Sequence, residues 1–165
     1  MFDEGLNREE ERRTSQLVDR FELMLINDNP VYFDSEELEL IIDHYSIRDN
    51  KVKLQEVFRL SDKLFPFSVD IKIKKAQILV AHNLPKKALQ ILSELSSLTQ
   101  NNDDYFFTLA VTYSKLEMHE KSISILNKLL SSDTENEELL STLANEYQCT
   151  EDNDSCVSTL EKLIK

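Results

Sequence analysis

The 165-residue chain carries 31 acidic and 19 basic residues, a net charge of −12, with 41% hydrophobic and 30% charged residues. Such a field repels phosphate backbones and anionic membrane surfaces, the composition suits a folded rather than a disordered chain, and no stretch approaches the roughly 20 apolar residues of a membrane span. One glycine, Gly5, and three prolines, Pro30, Pro66 and Pro85, are too few for the tight turns of a sheet-rich fold, so an all-α chain is expected.

The first residues, MFDEGLNREEERR, have no apolar core of the kind a signal peptide shows, which makes the cytoplasm the expected location. Residues 8–27 place Leu17, Val18, Phe21, Met24 and Leu25 on one helical face. That face needs a surface to cover, and the spacing predicts a helix capping the segment that follows. Residues 32–45, YFDSEELELIIDHY, gather aromatic, acidic and histidine side chains. Asp34 and Glu37 have the spacing of a capping box, and Phe33 and Leu38 that of a hydrophobic staple. Glu36, Glu37 and Glu39 put negative charge near the positive end of a helix dipole. An active site would need two carboxylates and a base converging in a cleft, whereas Glu36, Glu39 and Asp43 lie along one helix face.

From residue 35 onward the sequence repeats every 34 residues without insertion. That offset aligns Tyr45, Leu79, Tyr113 and Tyr147; Leu54, Ala88, Ser122 and Cys156; and Phe58, Leu92, Leu126 and Leu160. It also aligns Ile42 with Ala76, Ala110 and Ala144. Each unit holds two apolar stripes of helical spacing separated by a short polar break. In the second unit these are Ile73, Ala76, Ile78, Leu79 and Val80, then Ala88, Leu89, Ile91, Leu92 and Leu95. Pro85 between them suits the first turn of a helix, where its missing N–H has no partner to lose. The links FPFS, TQNND and SDTENEE have helix-ending and N-capping compositions.

A 34-residue pair of helices, with Ala in the first, Tyr three residues later and a small residue opening the second, resembles the tetratricopeptide repeat. The opening RFELML and YFDSEELELIIDHY also looks like that of a group of tetratricopeptide proteins abundant in Bacteroidetes. The chain lacks the family's tryptophan and usual glycines, and holds its inter-repeat proline only as Pro66. The resemblance implies a right-handed α-solenoid of antiparallel helix pairs. Its expected parts, within one domain over 1–165, are a cap helix at 8–27, repeats at 35–68, 69–102 and 103–136, and an incomplete fourth at 137–165. Small residues at the aligned places let paired helices approach closely. The apolar side of Leu160, Leu163 and Ile164 has no further helix to cover it, so a longer repeat array or contact with a second copy is expected.

In this family the first helices of successive units line a groove that binds peptides or helices, and the resemblance implies a protein-interaction scaffold. By the repeat offset the groove holds Glu39 and Asp43; Ile73, Lys74, Gln77 and Val80; Phe107, Val111 and Lys115; and Ser141, Thr142, Asn145 and Gln148. Phe107 and Val111 are the apolar contact candidates. Family members that clamp a carboxylate tail use lysine and asparagine where this chain has Glu39 and Asp43, so basic or mixed apolar-basic partners are expected over acidic tails.

Nothing in the sequence points to catalysis, a cofactor or a metal. Gly5 cannot build a phosphate loop, no serine lies in a G-x-S-x-G turn, and Cys149 and Cys156 lack a second pair at zinc-ligand spacing. They are expected as free, mostly buried thiols, and His44, His82 and His119 as surface or turn residues. A regulatory or targeting arm of a longer enzyme and a self-association module are the alternative roles. A synthetic peptide ending in acidic residues is expected to show no binding by titration calorimetry; tight binding would contradict the assignment of Glu39 and Asp43 to the groove.

Overall fold

The computed structural model describes residues 2–99 and 101–164. Met1, Gln100 and Lys165, which the expected 1–165 domain and TQNND link include, lie outside the described residues. Among the described residues there are nine helices and no strand: α1 (Phe2–Asn27), α2 (Ser35–Ile47), α3 (Lys51–Leu64), α4 (Val69–Ala81), α5 (Pro85–Leu95), α6 (Asp103–Lys115), α7 (His119–Leu130), α8 (Glu137–Cys149) and α9 (Asn153–Leu163). No helix among them is long and apolar enough to cross a membrane.

The starts of α2, α4, α6 and α8 follow from caps set 34 residues apart. Asp34, Asn102 and Asn136 each accept the backbone N–H three residues on, and the Ser68 hydroxyl accepts that of Ile71 at 3.4 Å. At α2 the predicted capping box is complete, with the Glu37 carboxylate accepting the Asp34 N–H. Pro85 occupies the first turn of α5.

The break within each helical pair is one turn built four times. Asp49, Asn83, Glu117 and Glu151 have φ of 49°, 59°, 60° and 60°. The residue after each donates its N–H to the carbonyl five residues back, on Tyr45, Leu79, Tyr113 and Tyr147. This is the Schellman closure, in which a left-handed residue lets the chain satisfy the last helical carbonyls and start back. The position favours glycine, because a Cβ crowds the following carbonyl oxygen there. Here Asp, Asn and Glu occupy it, which is how the chain turns with so little glycine.

The chain divides into two compact units, Met1–Ile71 and Lys72–Lys165. In the first, α1 packs on α2 and α2 on α3. Its core holds Leu17, Val18, Phe21, Phe33, Leu38, Ile41, Ile42, Tyr45, Leu54, Val57 and Phe58. Phe21 lies edge-on to Phe33 with ring centroids 6.2 Å apart, and 6.0 Å from Tyr45. The Arg20 guanidinium sits 4.3 Å above the Phe33 ring and donates to Glu37 at 2.8 Å and to the Tyr32 carbonyl. Glu37 therefore serves the cap and the α1 contact together.

In the second unit α5 packs on α6, α6 on α7, α7 on α8 and α8 on α9. Ala76, Ala88, Ala110, Ser122 and Ala144 are buried, as a small residue at a close helix approach must be. Ser122 keeps an unpartnered hydroxyl there. Leu126, Leu129, Leu130, Leu139, Leu140 and Leu143 fill the layer around Ala110.

Replacing Glu117 by glycine removes the left-handed strain and returns part of the gain as chain entropy, for a net stabilisation of about 0.5–1 kcal/mol. Urea unfolding should show a raised midpoint for Glu117→Gly and a lowered one for Glu117→Val.

Candidate functional site

Helix α6 presents two sides with different chemistry. Tyr105, Thr108, Ala110 and Thr112 are buried. The Tyr105 hydroxyl donates to the Leu92 carbonyl at 3.2 Å, the Thr112 hydroxyl to the Thr108 carbonyl at 2.7 Å, and the Thr108 hydroxyl to the Asp104 carbonyl at 2.6 Å. Burial raises the Tyr105 phenol above its ordinary pKa, opposed by the Thr99 hydroxyl. The Tyr105 bond ties α6 to α5, while the two threonine bonds satisfy their hydroxyls within α6. Residues four apart then share a ridge, and Asp103, Phe107, Val111 and Lys115 form one along α6.

That ridge borders a groove within the second unit, with a volume of about 590 Å³. Gln77, Val80 and Ala81 of α4, Asn83 after it, Phe107, Thr108, Val111 and Lys115 of α6, and Glu138 of α8 line it. The Gln77 amide donates to the Thr108 hydroxyl at 3.1 Å, joining the walls. Val80 is 7% exposed and forms floor rather than rim, while Phe107 and Val111 are half-buried.

Five expected groove residues therefore come together here: Gln77, Val80, Phe107, Val111 and Lys115. Ile73 is 3% exposed and belongs to the core, and Lys74 is half-buried. On α8, Ser141, Asn145 and Gln148 are exposed, and the half-buried Thr142 donates to the Glu138 carbonyl. Glu138, Asn83 and Thr108 also line the groove, although the repeat offset did not single them out. In the first unit Glu39 is half-buried, and Asp43 lines a separate cleft of about 610 Å³ with Glu11, Thr14, Ser15, Leu40, His44, Ile47 and Arg48.

Two titratable side chains of the first unit are shifted by their surroundings. The Tyr45 hydroxyl donates to Glu22 at 3.0 Å; burial raises its pKa strongly, and the Glu22 bond and the charges of Glu22 and Asp19 add to this. Burial lowers the His44 pKa, Arg48 reinforces the shift and Glu22 opposes it. Among the described residues no group of three or more His, Cys, Asp or Glu side chains is arranged to hold a metal ion. Cys149 is exposed, not buried as expected, because it falls in the last turn of α8 off the packed stripe. The Cys156 thiol reaches the Ala144 carbonyl at 3.5 Å.

His119 is more than a turn residue: its Nδ1 lies 2.9 Å from the Glu146 carboxylate, and Glu146 is 2% exposed. The repeat offset puts Glu146 in the column of Ile78 and Thr112, so an acid at a core place was the signal that it needed a partner.

No family model matches the chain, and no curated protein matches it. Solved structures do. The MamA RS-1 ArsTM double mutant aligns with a TM-score of 0.70 at 17% identity, covering 92% of this chain and 93% of that one. MamA AMB-1 aligns with a TM-score of 0.71 at 17% identity, covering 97% and 93%. The fold is a TPR-like helical solenoid. At this identity the likeness carries the fold alone, and the groove residues rest on the geometry above.

His119→Ala leaves the Glu146 carboxylate buried without its partner and should cost about 1–3 kcal/mol. Thermal unfolding followed by circular dichroism should show the lowered midpoint, with most of it regained in His119→Ala/Glu146→Leu.

Proposed function

We infer that this protein is a non-catalytic interaction scaffold or adaptor that takes a peptide or helix of a partner protein in the groove of its second unit. The observation carrying this reading is the half-buried pair Phe107 and Val111 in an open groove of about 590 Å³, set beside hydrogen-bonding Gln77 and Thr108. Ordered apolar side chains that line a concave site, with a few polar groups placed among them, suit binding of an apolar anchor. The candidate catalytic stretch supports the same reading, since Asp34 and Glu37 are engaged in a cap and Glu37 also in the Arg20 pair.

The partner is protein rather than nucleic acid, in line with the net charge of −12. A bacterial cytoplasm is the setting suggested by the resemblance of the N-terminal segment. Self-association is a second role, supported by the exposed Val157, Leu160 and Ile164 near the end of the second unit; an arm regulating or targeting a longer enzyme would use the same groove.

Affinity capture with chemical cross-linking, comparing wild type with Phe107→Ala/Val111→Ser, tests the groove. Cross-links from groove residues to a partner should be lost in the variant while its circular dichroism stays unchanged. Identical cross-linked partners in both would overturn the assignment.

A further inference from the structure

The ridge of α6 is polar in a directional sense. It reads Asp103, Phe107, Val111, Lys115, so an acid, two apolar side chains and a base follow one another over about 18 Å at 1.5 Å per residue. The acidic end is reinforced from other elements. A smaller recess adjoins the groove and shares Phe107 and Glu138 with it; Asp103, Asp104, Leu129, Ser132, Asp133, Asn136 and Leu139 complete its lining. Four carboxylates, Asp103, Asp104, Asp133 and Glu138, thus meet at one end of the apolar strip. Asp133 accepts from the Asn136 amide at 3.0 Å, and none of the four pairs with a basic side chain among the described residues.

Acids in the first turn of α6 and α8 also complement the helix dipoles. That use explains single residues at each helix start. It leaves unexplained why the exposed acids of two helices and the preceding link border one recess continuous with the groove.

Resting on the groove reading, we propose that the ligand is an extended segment of a partner protein in which a bulky apolar side chain is flanked on one side by Lys or Arg. The basic end lies over Asp103, Asp104, Asp133 and Glu138, and the apolar residue on Phe107 and Val111. At about 3.3 Å per residue such a segment needs five to six residues to span the ridge. Charge complementarity sets the direction of the ligand and speeds its encounter, while the apolar contact holds it. The charge selection thus comes from acids of the second unit, apart from Glu39 and Asp43.

The probe is a displayed library of random 12-residue peptides, panned on the full chain, with enriched peptides resynthesised and measured by fluorescence anisotropy. The expected result is a common pattern of Lys or Arg, two or three residues from Leu, Phe or Met, whose binding disappears in both Phe107→Ala and Val111→Ser. Asp103→Asn/Asp104→Asn/Glu138→Gln, which keeps the Asn102 and Asn136 caps, should weaken it roughly tenfold. Raising the salt to 0.5 M should weaken wild type more than that variant. Enriched peptides that need Phe107 but lack basic residues, or bind the triple variant equally well, would overturn this proposal and leave the groove reading standing. Failure to enrich any peptide sensitive to Phe107 or Val111 would overturn both.

Discussion

Everything here depends on a left-handed residue closing the first helix of each pair. Asp49, Asn83, Glu117 and Glu151 adopt positive φ at the same place in successive repeats. The bonds they permit return the next N–H to a carbonyl near the helix end. Without that closure the helix would expose its last carbonyls and its partner could not start within three residues. The strain at non-glycine residues is accepted because packing of the paired helices over-determines it.

Once the turns and caps recur every 34 residues, the helical faces are committed in turn. On α6 the side carrying Tyr105, Thr108, Ala110 and Thr112 is buried and satisfied by hydroxyl-to-carbonyl bonds. The remaining ridge is free to vary, because a surface position four residues along contributes little to the helix itself. Phe107 and Val111 are therefore informative: the fold needs a helix there, and half-burying two apolar side chains at a groove is a choice beyond that need.

The first unit uses charge differently. Arg20 spans a ring face, a carbonyl and a carboxylate, and Glu37 closes a cap while accepting from it. Lys53 lies 3.5 Å from Glu22, which also receives the Tyr45 hydroxyl. The acidic run that opens α2 is thus partly consumed in seating α1. In the second unit the acids at the starts of α6 and α8 pair with no basic side chain among the described residues, and the same residue type has a different consequence.

Composition and periodicity determined the helical class and the small-residue places, and local spacing the Asp34 to Glu37 cap. All of these rest on interactions within a few residues of one another, or on a pattern repeated often enough to read. The sequence offset also named Gln77, Val80, Phe107, Val111 and Lys115, since a helical face follows from spacing. It could not tell that Ile73 is buried or that Asp43 faces the α1 cleft. Nor could it show that His119 meets Glu146, or that Glu138 from α8 completes a recess begun by Asp103 and Asp104. Those facts depend on the rotation of each helix about its axis. That rotation is decided only when large side chains from several helices are packed together without voids.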